Sequence, residues 1–354
     1  MHGGDIYRNK VTLDYSVNIN PLGIPENVKR ACQDALEELT HYPDITAQAV
    51  KESLKAHFAL RDEKILCGNG ASELIMAACH AIRPKKALLM APGFYGYIDA
   101  LEAVGAKIHY YQLSETTNFL LTKDVITVIQ EMKPEMMFIT NPNNPTGQMV
   151  EKEELLEIIE ICKRQNTVVV VDECFFELTE KEQNQSLIKD VEEYDNLFIL
   201  RAFTKSFAIP GVRLGYAICK DTDRFRKIEK QLPEWNLSVI AQRAAVAALE
   251  EVDYLEETRK VISKQRQYLL EELQALGFKV YPSRANYMLF FDKAYEKHVG
   301  EGKELYHALL EKQTLIRDCS DYYGLGEGYY RVAVKTHIEN EILISQIKEI
   351  LKHG

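Results

Sequence analysis

Apolar and polar positions alternate along this chain in two rhythms. In its middle, short runs of nearly continuous apolar residues read as strands over 87–90, 108–111, 136–139, 167–171 and 197–200. Unbroken apolar runs of this length predict strands covered on both faces. Between them, apolar residues recur at helical spacing over 72–82, 122–132 and 151–165. Strand–helix alternation predicts a mostly parallel sheet with right-handed crossovers. Past residue 220 the rhythm changes. Long charged helices over 239–250 and 253–276 lead into strands over 278–281 and 287–291. A further helix, a strand over 329–334 and a terminal helix follow. The expected organisation is an N-terminal segment, 1–35, associated with the small domain and the active site. A large α/β domain over 36–235 and a smaller α+β domain over 236–354 complete it. No internal repeat or long linker separates the parts.

Composition narrows the function. The 46% hydrophobic and 27% charged fractions belong to a globular chain with ample core. Lys and Arg total 43 against 53 Asp and Glu, a formal charge of −10. Such a balance argues against a nucleic-acid phosphate binder, which needs a basic stripe, but not against a small anionic ligand. No stretch reaches the ~20 apolar residues of a membrane span, and the first residues lack the pattern of a secretion signal. The seven cysteines form no Cys-x-x-Cys pair and the nine histidines are dispersed. Free thiols in a reducing cytoplasm are expected, with no metal site.

In open α/β sheets, ligands collect at the carboxyl ends of the strands, and the residues found there are specific. Asn69-Gly70-Ala71-Ser72-Glu73 opens a helix, where free backbone N–H groups suit an anion. A plain Ser N-cap is the other reading. Asn141-Pro142-Asn143-Asn144-Pro145-Thr146-Gly147 follows a strand, and its prolines fix a turn that holds amides at the sheet edge. Asp172 ends the Val-rich strand, where it either caps the next helix or pairs with a cationic ring nitrogen. Lys205 follows the strand over 197–200, and Arg213 stands eight residues on. A lysine so placed is a candidate Schiff-base amine.

Taken in order, these motifs resemble those of the fold-type I pyridoxal-phosphate enzymes, in the histidinol-phosphate aminotransferase branch of the class I/II aminotransferase superfamily. The resemblance runs from Asn20-Pro21 to Arg331 and implies pyridoxal 5'-phosphate as cofactor. It makes Lys205 the catalytic Schiff-base lysine, which also moves the proton at the substrate Cα. By the same resemblance Asp172 pairs with the pyridine nitrogen and Asn144 with the phenolic oxygen. Gly70, Ala71, Ser72, Thr204 and Arg213 bind the phosphate, and Phe94 stacks on the ring. Tyr42, in His41-Tyr42-Pro43-Asp44, matches the tyrosine that reaches the neighbouring subunit's phosphate, which implies a homodimer with shared sites. Two positions depart from the pattern. Phe175 stands where a tyrosine is usual, and Ala202 where a hydroxyl residue is common.

Substrate anchors separate the possible reactions. Arg331 resembles the carboxylate-binding arginine, and bidentate geometry suits that task. Arg317 either holds a second anion or pairs with Asp318 or another acid. His2-Gly3-Gly4-Asp5 and the segment around Asn20 are similar to the threonine-phosphate decarboxylases of cobalamin biosynthesis. That similarity implies His2, Gly3, Asn20, Arg317 and Arg331 as substrate contacts and a phosphorylated amino acid as substrate. Transamination of histidinol phosphate or another amino acid with 2-oxoglutarate is the competing reading. A non-catalytic relative would not need Lys205, Asp172, Asn144 and Arg213 together.

Overall fold

The computed structural model describes residues 3–61, 63–180, 185–220 and 222–352. Its strands are β1 (Leu13–Asp14), β2 (Lys64–Gly68), β3 (Lys86–Ala91), β4 (Lys107–Gln112) and β5 (Met136–Thr140). β6 (Val168–Asp172), β7 (Leu197–Ala202) and β8 (Gly215–Cys219) follow. The later strands are β9 (Lys279–Val280), β10 (Tyr287–Phe291), β11 (Thr314–Leu315), β12 (Arg317–Asp318) and β13 (Tyr329–Ala333).

A seven-stranded sheet runs in the order β2-β8-β7-β6-β5-β3-β4. From β7 to β4 every neighbouring pair is parallel, and β8 is antiparallel to both its neighbours. The apolar runs have the predicted cause. Met137, Ile139, Val169, Val171, Leu197 and Ile199 enter one core. Met136, Phe138, Val168, Val170, Phe198 and Leu200 enter the core on the opposite face. Period-two side chains therefore find apolar cover on both sides.

The second sheet, β12-β13-β10-β9, packs against the long helix Val252–Ala275 and the terminal helix His337–Lys352. The N-terminal segment divides its contacts. β1 pairs in parallel with β11 and Tyr15 enters the core of the second sheet, whereas the helix Glu26–Asp34 packs on Val239–Leu249. The helix Val239–Leu249, on the small-domain side of the expected 235/236 boundary, sends Ala241, Ala244, Ala245 and Ala248 into the core of the large sheet. Among the described residues, no helix is long and apolar enough to cross a membrane, and no group of acids, histidines and cysteines is arranged to hold a metal.

Candidate active site

The carboxyl ends of β2, β5, β6 and β7 open on one cavity of about 320 Å³, closed on its other side by the second sheet and the N-terminal segment. Asp172 is the last residue of β6 and 6% exposed. Its Oδ1 accepts the Cys174 N–H at 3.0 Å, and its Oδ2 accepts the Tyr97 hydroxyl at 2.8 Å. The Tyr97 hydroxyl also lies 2.8 Å from Thr140 Oγ1, and its ring stacks on Phe138 with centroids 4.5 Å apart. Asp172 is thus held with its carboxylate edge toward the cavity rather than spent as a helix cap.

Lys205 sits in the short helix Phe203–Ser206 immediately after β7 and lines the cavity. Its backbone carbonyl accepts the Asn20 N–H at 3.1 Å. Burial pulls the Lys205 amine down to about 8, and the nearby Arg331 and Arg213 guanidiniums push the same way. An ammonium among cations loses its proton more readily, which gives a nucleophilic amine near neutral pH.

On the β2 side, Gly70 precedes the helix Ala71–Ile82 with φ +79°. A Cβ there would come within 2.3 Å of Arg213 Nη2, so only glycine lets the guanidinium lie against the helix start. Arg213 Nη2 also donates to Ser72 Oγ at 3.3 Å. Ala71, Ser72, Thr204 and Arg213 line the cavity together, with Phe94 at its wall. The structure therefore brings free helix N–H groups, two hydroxyls and one guanidinium to one corner, a donor set that fits a phosphate ester. Asp172, Lys205 and Phe94 line the same cavity and offer the carboxylate, amine and aromatic face that a pyridine ring would use. Pyridoxal 5'-phosphate fits these residues.

Asn144, on the turn after β5, is buried and accepts a hydrogen bond from Arg331 Nη1 through its Oδ1. The turn is fixed from the second sheet, since Arg284 N donates to Gly147 O at 2.8 Å and Tyr287 OH to Asn143 O at 2.8 Å. Phe175 lines the cavity and packs edge-on against Tyr287, and its ring carries no hydroxyl for the cofactor oxygen. Ala202 lines it as well, without the usual hydroxyl.

Arg317 and Arg331 are directly opposite each other on antiparallel β12 and β13, which places both side chains on the face toward the cavity. They are 4% and 5% exposed. Arg331 Nη2 donates to Ser16 O at 2.6 Å, and its Nε is buried without a hydrogen-bond partner among the described residues. Arg317 Nη2 donates to Asp321 Oδ1 at 2.7 Å and Nη1 to Asp318 O, so the acid that pairs with it is Asp321. Gly3 lines the cavity beside Ser16, and Gly4 N donates to Ser16 Oγ at 2.7 Å.

Two expected residues stand elsewhere. Asn20 does not line the cavity. Its Nδ2 donates to Ser206 O at 2.7 Å and Thr258 Oγ1 at 2.9 Å, and its Oδ1 accepts Leu22 N, so the amide supports the Lys205 turn from behind. Tyr42 is 81% exposed, 4.9 Å from the Trp235 ring and outside the cavity. His2 lies outside the described residues. The sequence reading leaves out several residues of the site, Cys174 and Tyr322 on the cavity wall among them. Tyr97 carries no motif. Asn18, two residues before Asn20, is 3% exposed and lines the cavity, and its Oδ1 is buried without a partner among the described residues. No periodicity marks Asn18, because the chain bends at Ser16 and Val17 and all three residues line the cavity.

The family model for aminotransferase class I and II matches residues 10–347. The threonine-phosphate decarboxylase of Salmonella typhimurium is 32% identical over 99% of this chain and 96% of its own length. The histidinol-phosphate aminotransferase structure from Clostridium acetobutylicum is 31% identical, with a TM-score of 0.88 over 96% of this chain and 98% of its own. The Sinorhizobium meliloti histidinol-phosphate aminotransferase in complex with pyridoxal-5'-phosphate is 18% identical and shares the fold, with a TM-score of 0.84 over 97% of this chain and 91% of its own.

Proposed function

The chain belongs to the class I and II aminotransferase family, an enzyme of fold type I with pyridoxal 5'-phosphate as cofactor, and on that premise we propose that it decarboxylates O-phospho-L-threonine to (R)-1-amino-2-propanol phosphate in cobalamin biosynthesis. The observation that carries this reading is the pair of buried arginines, Arg317 and Arg331, opposed across one ladder over a cavity that already contains Lys205 and Arg213. Like charges directly opposite are unfavourable unless anions lie between or beside them. Asp321 answers Arg317 alone, one short substrate with a carboxylate and a phosphate would give each arginine an anion, and the cofactor phosphate would answer Arg213.

Gly70, Ala71, Ser72, Thr204 and Arg213 would hold the cofactor phosphate, with Phe94 on the ring face. Asp172 would meet the ring nitrogen, Asn144 the phenolic oxygen and Lys205 the aldehyde carbon. Bound there, the cofactor supplies an electron sink for the pair left when a bond to Cα breaks. Arg331 takes the substrate carboxylate, with Asn18 on the same cavity wall, and Arg317 takes the phosphate. The Cα–carboxylate bond breaks, CO2 leaves, and a proton takes its place at Cα. Lys205 Nζ, with an affinity for protons near neutrality, is the group that delivers it. Gly3, docked beside Ser16, helps to keep water out.

A homodimer with shared sites is part of the reading. Leu36, Leu39, Tyr42, Ile45 and Trp235 are each 44% or more exposed, and Arg243 pairs with Glu38, so the segment lies against the helix Val239–Leu249. An apolar surface of this kind suits a second copy that receives Tyr42.

Transamination is the rival reading, supported by the 31% identity to the Clostridium acetobutylicum enzyme. One experiment separates the two. Purified holoenzyme mixed with O-phospho-L-threonine, without any 2-oxo acid, is expected to release CO2 over many turnovers. Silence until 2-oxoglutarate is added, followed by glutamate formation, would sink the decarboxylase reading.

A further inference from the structure

A guanidinium does not give up its proton, so burying one requires a counter-ion. For Arg317 that counter-ion is Asp321, at 2.7 Å. Burial across the pair is unequal. The Arg317 side chain is 5% exposed and lies over the Tyr322 ring at 5.0 Å, whereas the Asp321 side chain is 37% exposed. The carboxylate already meets water, whereas the guanidinium is held at the cavity wall. Any anion that reaches Arg317 therefore competes with a carboxylate tethered four residues away in the same loop.

We infer that Asp321 is a resident competitor for the Arg317 subsite, one that is displaced by substrate and drives product out. This deepens the reading above and rests on it. A substrate with two anions engages Arg331 and Arg317 together, and the two attachments jointly offset the broken Arg317–Asp321 pair. Departure of CO2 removes the group held by Arg331. The phosphate of the product is then held at Arg317 alone, against a carboxylate whose tether keeps its local concentration high. The same competition keeps free inorganic phosphate from filling the subsite.

The test compares Asp321→Asn with the parent holoenzyme, using inorganic phosphate and 1-amino-2-propanol phosphate as probes. Calorimetric titration with inorganic phosphate is expected to give a dissociation constant about tenfold lower in Asp321→Asn, and the inhibition constant of the product is expected to fall by a similar factor. KM for O-phospho-L-threonine should fall, and kcat with it where release limits turnover. Asp321→Glu, which keeps the charge, should return all these values toward the parent. A purely structural role would loosen Arg317 and raise each constant, and that result, or unchanged constants, overturns the inference. Asp321→Ser serves if the first variant does not retain cofactor. Should the parent release no CO2 from O-phospho-L-threonine, the proposed reaction fails, and the phosphate titration still decides the role of Asp321.

Discussion

Lys205 shows how a residue type of no distinction acquires a chemistry from its surroundings. Burial and the cations around it pull its amine to about 8, and the sign of the pH dependence follows. Below that value the amine is protonated and lacks a lone pair; above it the amine is free. Capture of pyridoxal 5'-phosphate by cofactor-free protein, followed by absorbance, should accelerate about tenfold per pH unit and level off near pH 8. Arg331→Leu should move the inflection upward, since Arg331 contributes to the depression. A rate that climbs unbroken to pH 10 would show an ordinary lysine. Asn18 makes the complementary case. Its buried Oδ1 has no partner among the described residues, a state that costs about 1–3 kcal/mol unless a donor on a ligand completes it. Asn18→Ala should lower kcat/KM for the substrate about tenfold or more while cofactor affinity stays within twofold. Equal losses in both would place Asn18 in the fold rather than with the substrate.

Elements impose what single residues cannot. Asp172 and Lys205 are useful only while the ends of β6 and β7 stay in register, and a buried ion pair just beyond them ties the two strands. Arg201 on β7 donates to Glu173 Oε2 from Nε at 3.0 Å and from Nη2 at 2.8 Å, and Glu177 Oε1 lies 3.5 Å from its Nη1. Both Arg201 and Glu173 are 1% exposed. Removing Glu173 leaves the buried guanidinium only the longer contact with Glu177, so Glu173→Ala should lower unfolding free energy by about 3 kcal/mol, read from urea titration. Glu173→Leu, Glu177→Leu and Arg201→Leu together should recover much of that loss, because an apolar cluster of this size leaves no buried charge. The sequence reading found the strand ends in this region because the apolar runs stop there. It did not find β8, whose Gly215–Cys219 run follows a turn-like Pro-Gly motif, nor the helices Glu26–Asp34 and Gln48–Phe58. β1, β11 and β12 are two-residue strands, too short for any periodicity. They exist because distant backbone partners complete their hydrogen bonds, and that is invisible in local pattern.

At the scale of the whole molecule, the −10 charge is a property of the surface. The cavity has the opposite character, gathered from four separate stretches: Lys205, Arg213, Arg317 and Arg331. The apolar surface at Leu36, Leu39, Tyr42 and Trp235 bears on assembly. Sedimentation of the parent should give a dimer, and Leu39→Glu with Trp235→Glu should shift it toward monomer and reduce activity as subunits separate. Full activity in a monomeric variant would remove Tyr42 from the site.

The sequence by itself determined the family and the cofactor, because ordered motifs at strand ends encode a local chemistry that each segment carries alone. It also left open whether Arg317 met an acid, and placed the substrate amide at Asn20. Only the tertiary structure decided those points. Arg317 pairs with Asp321 across a turn, Asn20 is consumed beneath Lys205, and Asn18 faces the cavity. The physical reason is that burial and hydrogen-bond partners are properties of what packs around a residue. Chain order supplies the groups, and packing decides which of their donors, acceptors and charges are left over for a ligand.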